Sequence, residues 1–84
     1  MSVEPNAQMQ LLIEKITKAL VDEPDQVVVR PLDGQQGTRL QLSVAANDLG
    51  KIIGKQGRTA HCIRSILSAA SAKLNKRYSL EIME

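Results

Sequence analysis

The sequence predicts a two-layer α+β domain with its elements in the order helix, strand, strand, helix, helix, strand. Three observations carry that prediction. Two long stretches repeat apolar residues at helical spacing. Shorter stretches alternate apolar and polar residues, as half-buried strands do. A turn with two glycines three apart, Gly54-Lys55-Gln56-Gly57, separates two helical segments.

The first helix follows from Met9, Leu12, Ile13, Ile16 and Leu20, which fall on one face of a 3.6-residue period. Asn6 is its expected N-cap. Residues 1–5 read as a leader outside the domain, which is taken as residues 6–84. Pro24 stops the helix near Asp22. Gln26 to Leu32 reads as a strand on the Val27-Val28-Val29 run, and Pro31, which lacks a donor, places it at a sheet edge. Asp33-Gly34-Gln35-Gln36-Gly37 is turn chemistry. Thr38 to Ala45 then puts Leu40, Leu42 and Val44 on one face and Arg39, Gln41 and Ser43 on the other, so the two strands form a hairpin.

Asn47 or Asp48 is expected to cap a short helix carrying Leu49, Ile52 and Ile53, which ends at Gly54 in a left-handed residue. A longer helix follows Gly57, with Ile63, Ile66, Leu67, Ala70 and Leu74 as its inner stripe and Ser65, Ser68 and Ser71 off it. Tyr78, Leu80 and Ile82 alternate as a last strand. The chain contains no repeat and no linker composition.

Eighty-four residues make one domain. A chain this short buries only about 60% of its unfolded surface, so association with a second copy would add useful buried area. Tyr78 is the one aromatic residue, and the core is therefore aliphatic. A net charge of +2 permits a polyanionic partner without requiring one. The single cysteine, Cys62, makes no internal disulfide, and with His61 alone beside it a zinc site is short of ligands. No metal or cofactor is expected. No apolar run reaches the length of a membrane span, and the cytoplasm is the expected compartment.

The chemistry concentrates in Leu49 to Arg58. Lys51, Lys55 and Arg58 bring three cations with no acid among them. Two glycines let a ligand come close to the backbone, and the next helix offers free N–H groups and a partial positive charge at its start. That combination suits a phosphate backbone. Glycines can equally make a bare turn and lysines a solvated surface. The apolar pair Ile52-Ile53 before the turn, the cations in it and the order of elements favour nucleic acid.

Ile52-Ile53-Gly54-Lys55-Gln56-Gly57-Arg58 resembles the signature of KH domains, whose GxxG loop clamps a four-nucleotide single-stranded segment. The order of elements is similar to that of the type II KH fold, a three-stranded sheet with three helices on one face. The run from Asp48 to Ala60, with Ile63-Arg64 after it, looks like the small bacterial single-KH proteins of the KhpA type. The resemblance covers the chain from about Met9 onward. It implies single-stranded RNA binding by a small RNA chaperone or post-transcriptional regulator, with effects on cell shape in some bacteria. It also implies a homodimer, or a heterodimer with a larger Jag-type KH-containing protein. Carried over by position, Gly54 and Gly57 allow close backbone approach, and Lys55 and Gln56 touch phosphate and sugar. Lys51 and Arg58 flank the strand with charge, and Ile52 and Ile53 divide between core and groove wall. Arg39 and Arg64 are further contacts.

The sequence is compatible with other readings. One is a protein-interaction module with secondary nucleic-acid binding, which an exposed apolar patch on the third helix would favour. Another is single-stranded DNA binding. An enzyme is disfavoured, because the turn lacks P-loop spacing and no nucleophile, base and orienting group come together. No aromatic residue is placed to stack a base, so RNA affinity is expected to rest on phosphate contacts and packing.

Overall fold

The computed structural model describes residues 5–84. The expected leader lies outside the described residues except for Pro5, which opens the first helix. The elements are α1 (Pro5–Leu20), β1 (Val28–Gly34), β2 (Gly37–Ser43), α2 (Leu49–Ile53), α3 (Arg58–Leu74) and β3 (Tyr78–Ile82). Single 3-10 turns cover Pro24–Gln26, Ala46–Asp48 and Lys55–Gly57.

The sheet order is β1-β2-β3, with β1 antiparallel and β3 parallel to β2. Its register explains the core. Val29 lies beside Leu42, which lies beside Ile82, and Leu40 stands beside Leu80. These side chains share one face, because alternate residues of a strand point the same way. Met9 and Ile13 of α1, Ile52 of α2, and Ile63 and Leu67 of α3 cover that face. Each fully buried Leu or Ile contributes roughly 1.5–3 kcal/mol relative to exposure. The other sheet face carries Arg30, Leu32, Arg39, Gln41, Ser79 and Glu81 and has no covering layer among the described residues. The fold is the two-layer α+β arrangement expected, with three helices on one face of a three-stranded mixed sheet.

Pro31 sits on the edge strand, as its missing donor requires. The amide of Gln10 donates to the Val29 carbonyl (3.0 Å), linking α1 to that strand. A second set of polar contacts ties the start of α1 to the hairpin and β3. Tyr78 donates its hydroxyl to Asn6 (2.7 Å), while Asn6 (3.1 Å) and Thr38 (2.8 Å) both donate to Asp33 Oδ1. Asn6 is therefore a tie between elements within the first turn of α1, and not the expected N-cap.

Several local expectations need correction. The first strand begins two residues later than Gln26, because Pro24–Gln26 folds into a turn closed by the Val27 N–H on the Pro24 carbonyl (3.1 Å). Leu20 ends α1 exposed, and Val21 packs against the core instead. On α3 the buried line is Ala60, Ile63, Leu67 and Ser71. At about 100° per residue, Ile66 lies some 60° to the other side of Ile63, and it stands 44% exposed. Ser71, expected off the stripe, is buried, and its hydroxyl is satisfied by the Leu67 carbonyl (2.7 Å).

Candidate nucleic-acid interface

The glycine turn is built from both sides. Ile52 is fully buried and anchors α2 in the core, while Ile53 is half-buried beside the turn. The Gly54 N–H closes α2 on the Gly50 carbonyl (2.8 Å). Gly54 then takes φ 76°, ψ 174°. That is a region open essentially to glycine alone, and not the compact left-handed cap expected. Thr59 of α3 fills the space a side chain would need, since a Cβ on Gly54 would lie 2.3 Å from Thr59 Oγ1. Gln56 (φ 58°, ψ 28°) and Gly57 (φ 73°, ψ 12°) are both left-handed. A left-handed Gln is uncommon, and such strain gathers at ligand clamps.

Gly57 leads directly into α3, and no side chain caps the start of that helix. Its first N–H groups are thus available to an anion. Lys55, Gln56 and Arg58 are all exposed around this point. The turn accordingly offers backbone donors, a helix start and two solvent-facing cations on one surface.

Lys51 is placed differently from its neighbours. Its ammonium pairs with Asp22 and lies 3.6 Å from Asp48 Oδ1. The hydrogen bond to Asp22 holds the ammonium above its ordinary pKa against partial burial. Asp48 was expected as a possible helix cap, but its carboxylate makes no capping bond to α2. It is fully buried and accepts the N–H groups of Asp22 (3.1 Å) and Glu23 (3.0 Å). Burial pushes its pKa up, yet these two donors and Lys51 outweigh that and hold it below the usual carboxylate value. Asp48 and Lys51 thereby fasten α2, and the turn it carries, to the connection between α1 and β1.

Arg64 is exposed, six residues after Arg58 on α3 and about 120° around the helix from it. Arg39 lies at the other end of the domain, on the open sheet face opposite Ser79 and 3.9 Å from Glu81. The structure therefore gathers Gly54, Lys55, Gln56, Gly57 and Arg58 with the wall of Ile53. It does not bring Arg39 to them. Sequence reasoning missed Thr59, whose role is visible only once Gly54 is seen against it.

The profile of the family described as KhpA/KhpB, KH domain, matches residues 10–82. The chain belongs to the KhpA/KhpB family of KH domains. Among its relatives is the RNA-binding protein KhpA of Clostridium acetobutylicum, 51% identical over 75 residues that span 89% of this chain and all of that protein. The RNA-binding protein KhpA of Borreliella burgdorferi is 48% identical over 87% of this chain and 89% of its own. Among solved structures, Era from Aquifex aeolicus superposes with a TM-score of 0.70 at 17% identity. The match covers 98% of this chain and 31% of Era, and at that identity it speaks for the fold alone.

Proposed function

We propose that this protein binds single-stranded RNA through the turn Gly54-Lys55-Gln56-Gly57 and acts as a small RNA chaperone or post-transcriptional regulator in the cytoplasm. The observation that carries the reading is the exposed Lys55, Gln56 and Arg58 around a glycine-only backbone in front of the uncapped start of α3. The names of the KhpA relatives, RNA-binding proteins, support the choice of ligand. With no base-stacking aromatic at the turn, affinity rests on phosphate contacts. Some three or four phosphates on a single strand give a log–log salt slope of roughly −2 to −3.

A protein partner is the second reading, as a homodimer or a heterodimer with a larger Jag-type KH protein. Ile66 on α3, exposed one turn after the exposed Cys62, favours it. Among the described residues no helix is long and apolar enough to cross a membrane.

The test is a fluorescence-polarisation titration of the wild type and the Lys55→Asp/Gln56→Asp variant with short RNA and matched DNA. Binding that is stronger for RNA and lost in the variant, with circular dichroism unchanged, supports the reading. Equal affinity in the folded variant removes the turn from it.

A further inference from the structure

At the far end of α3 from the glycine turn, the open face of the sheet holds a cleft of about 620 Å³. It is lined by the last rung of the hairpin, where Gly34 pairs with Gly37 and no side chain projects. Gln35 and Gln36 of the turn, Leu32, Arg39 and Arg77 line it as well. Arg77 is held in place by its backbone. Its carbonyl accepts the Thr38 N–H (2.9 Å), and a Cβ on Gly37 would fall 2.5 Å from that same oxygen. The close approach therefore depends on glycine at position 37. Arg77 and Arg39 are both exposed in the cleft. Among the described residues Arg77 has no ion-pair partner, and Arg39 has only the long, exposed contact to Glu81. Asp33, which also lines the cleft, has its Oδ1 engaged by Asn6 and Thr38.

We propose that this cleft is a second phosphate site, holding a phosphodiester of an RNA strand away from the glycine turn. The ligand class rests on the RNA-binding reading, whereas the site itself does not depend on the turn. Two guanidiniums offer planar forks matched to phosphate oxygens, the glutamines add amide donors, and Leu32, 46% exposed, gives a ribose or base an apolar surface. The 17 residues of α3 separate the two sites by about 25 Å. A strand that engages both must extend beyond the segment held at the turn. Free phosphate would meet the same groups, and the experiment separates the two sources.

The full chain is titrated with oligouridylates of about four and about sixteen nucleotides, the shorter being the length a GxxG loop clamps. Polarisation gives affinity and amide chemical shifts give location. In Arg39→Gln/Arg77→Gln, affinity for the longer RNA is expected to fall roughly tenfold and its salt slope to shrink by about 1.4, for two phosphates. Affinity for the shorter RNA stays unchanged. In the wild type the longer RNA shifts the amides of Gln35, Gln36 and Arg39. Unchanged binding of the longer RNA by the folded variant overturns the proposal. So does inorganic phosphate that shifts these amides where the RNA does not. If Lys55→Asp/Gln56→Asp still binds both RNAs while the arginine variant loses the longer one, the turn reading fails and the cleft stands.

Discussion

The backbone N–H of Glu23 donates to Asp48 Oδ2 over 3.0 Å, joining the residue before the Pro24–Gln26 turn to the residue before α2. Asp48 Oδ1 takes the neighbouring Asp22 N–H, and Lys51 sits beside both acids. A buried carboxylate is tolerated only when its oxygens are satisfied, and here backbone donors and a cation satisfy them.

This arrangement makes stability depend on acid pH. The folded Asp48 carboxyl lies below its ordinary value of 3.8, as burial is outweighed by the Asp22 and Glu23 donors. Asp33 lies below it too, through Thr38 and then Asn6. The unfolded chain therefore binds these protons more readily than the folded one. The stabilisation is complete above the unfolded value and drains away as pH falls from about 5 through the folded values. Chemical denaturation between neutral pH and about pH 3 should show a falling midpoint. Asp48→Asn should be less stable than wild type at neutral pH, Asp48→Ala less stable still, and the gap between Asp48→Asn and wild type should narrow in acid. A constant gap would mean that the charge of Asp48 contributes nothing.

The two glycines of the turn should respond unequally to alanine. Gly57 is left-handed with open space where a Cβ would go, so Gly57→Ala should cost about 1–2 kcal/mol. Gly54→Ala adds a clash with Thr59, whose backbone nitrogen would lie 2.8 Å from the new Cβ, and should cost more. Thermal unfolding of the pair orders them, and Gly54→Ala/Thr59→Ala, which removes the hydroxyl, should not fully rescue the loss, because the Cβ and backbone nitrogen of residue 59 remain.

Why the element order was legible in the sequence, while some of the contacts were not, follows from range. Helical spacing in Met9 to Ile16, alternation in Leu40 and Leu42, and the glycine pair are local signals that tertiary packing did not override. Pro31 at the edge strand is likewise a one-residue argument. Asn and Asp before a helix usually cap it, which makes Asn47 or Asp48 the expected cap. Asp48 instead has its partners in Asp22 and Glu23, which lie about 25 residues away and appear only when α2 is set against the end of α1. Sequence proximity places Lys51 with the cations of the turn, and the same packing also pairs it with Asp22. Asn6 bonds Tyr78 across 72 positions, which no local pattern encodes. The inner stripe of α3 was right at Ile63 and Leu67 and wrong at Ile66. Spacing fixes that a stripe exists, whereas the neighbours decide where its centre falls.

Thr17 is fully buried on α1, and its hydroxyl has no hydrogen-bond partner. An unsatisfied buried hydroxyl costs about 1–3 kcal/mol. Thr17→Val keeps the branched shape and removes the polar atom, so it should raise stability by about 1 kcal/mol in urea denaturation. A loss of stability would show that the hydroxyl is satisfied in solution.

Lys51 and Arg58 offer the sharpest separation of scaffold from contact. Both are cations near the turn, but Lys51 is ion-paired with Asp22 and Asp48, while Arg58 is exposed at the first position of α3 and has no ion pair among the described residues. Arg58→Gln should leave thermal stability nearly unchanged and weaken RNA binding about fivefold, the order of 1 kcal/mol for an exposed charge contact. Its salt slope should shrink by about 0.7, the release expected for one phosphate on a single strand. Lys51→Gln should do the reverse. It leaves Asp22 and Asp48 without their cation and lowers the unfolding midpoint, while the salt slope for RNA stays at the wild-type value. Polarisation titrations at several salt concentrations, with melting curves on the same samples, check both. If Lys51→Gln reduces the slope as Arg58→Gln does, the ammonium must leave its acids to meet the RNA.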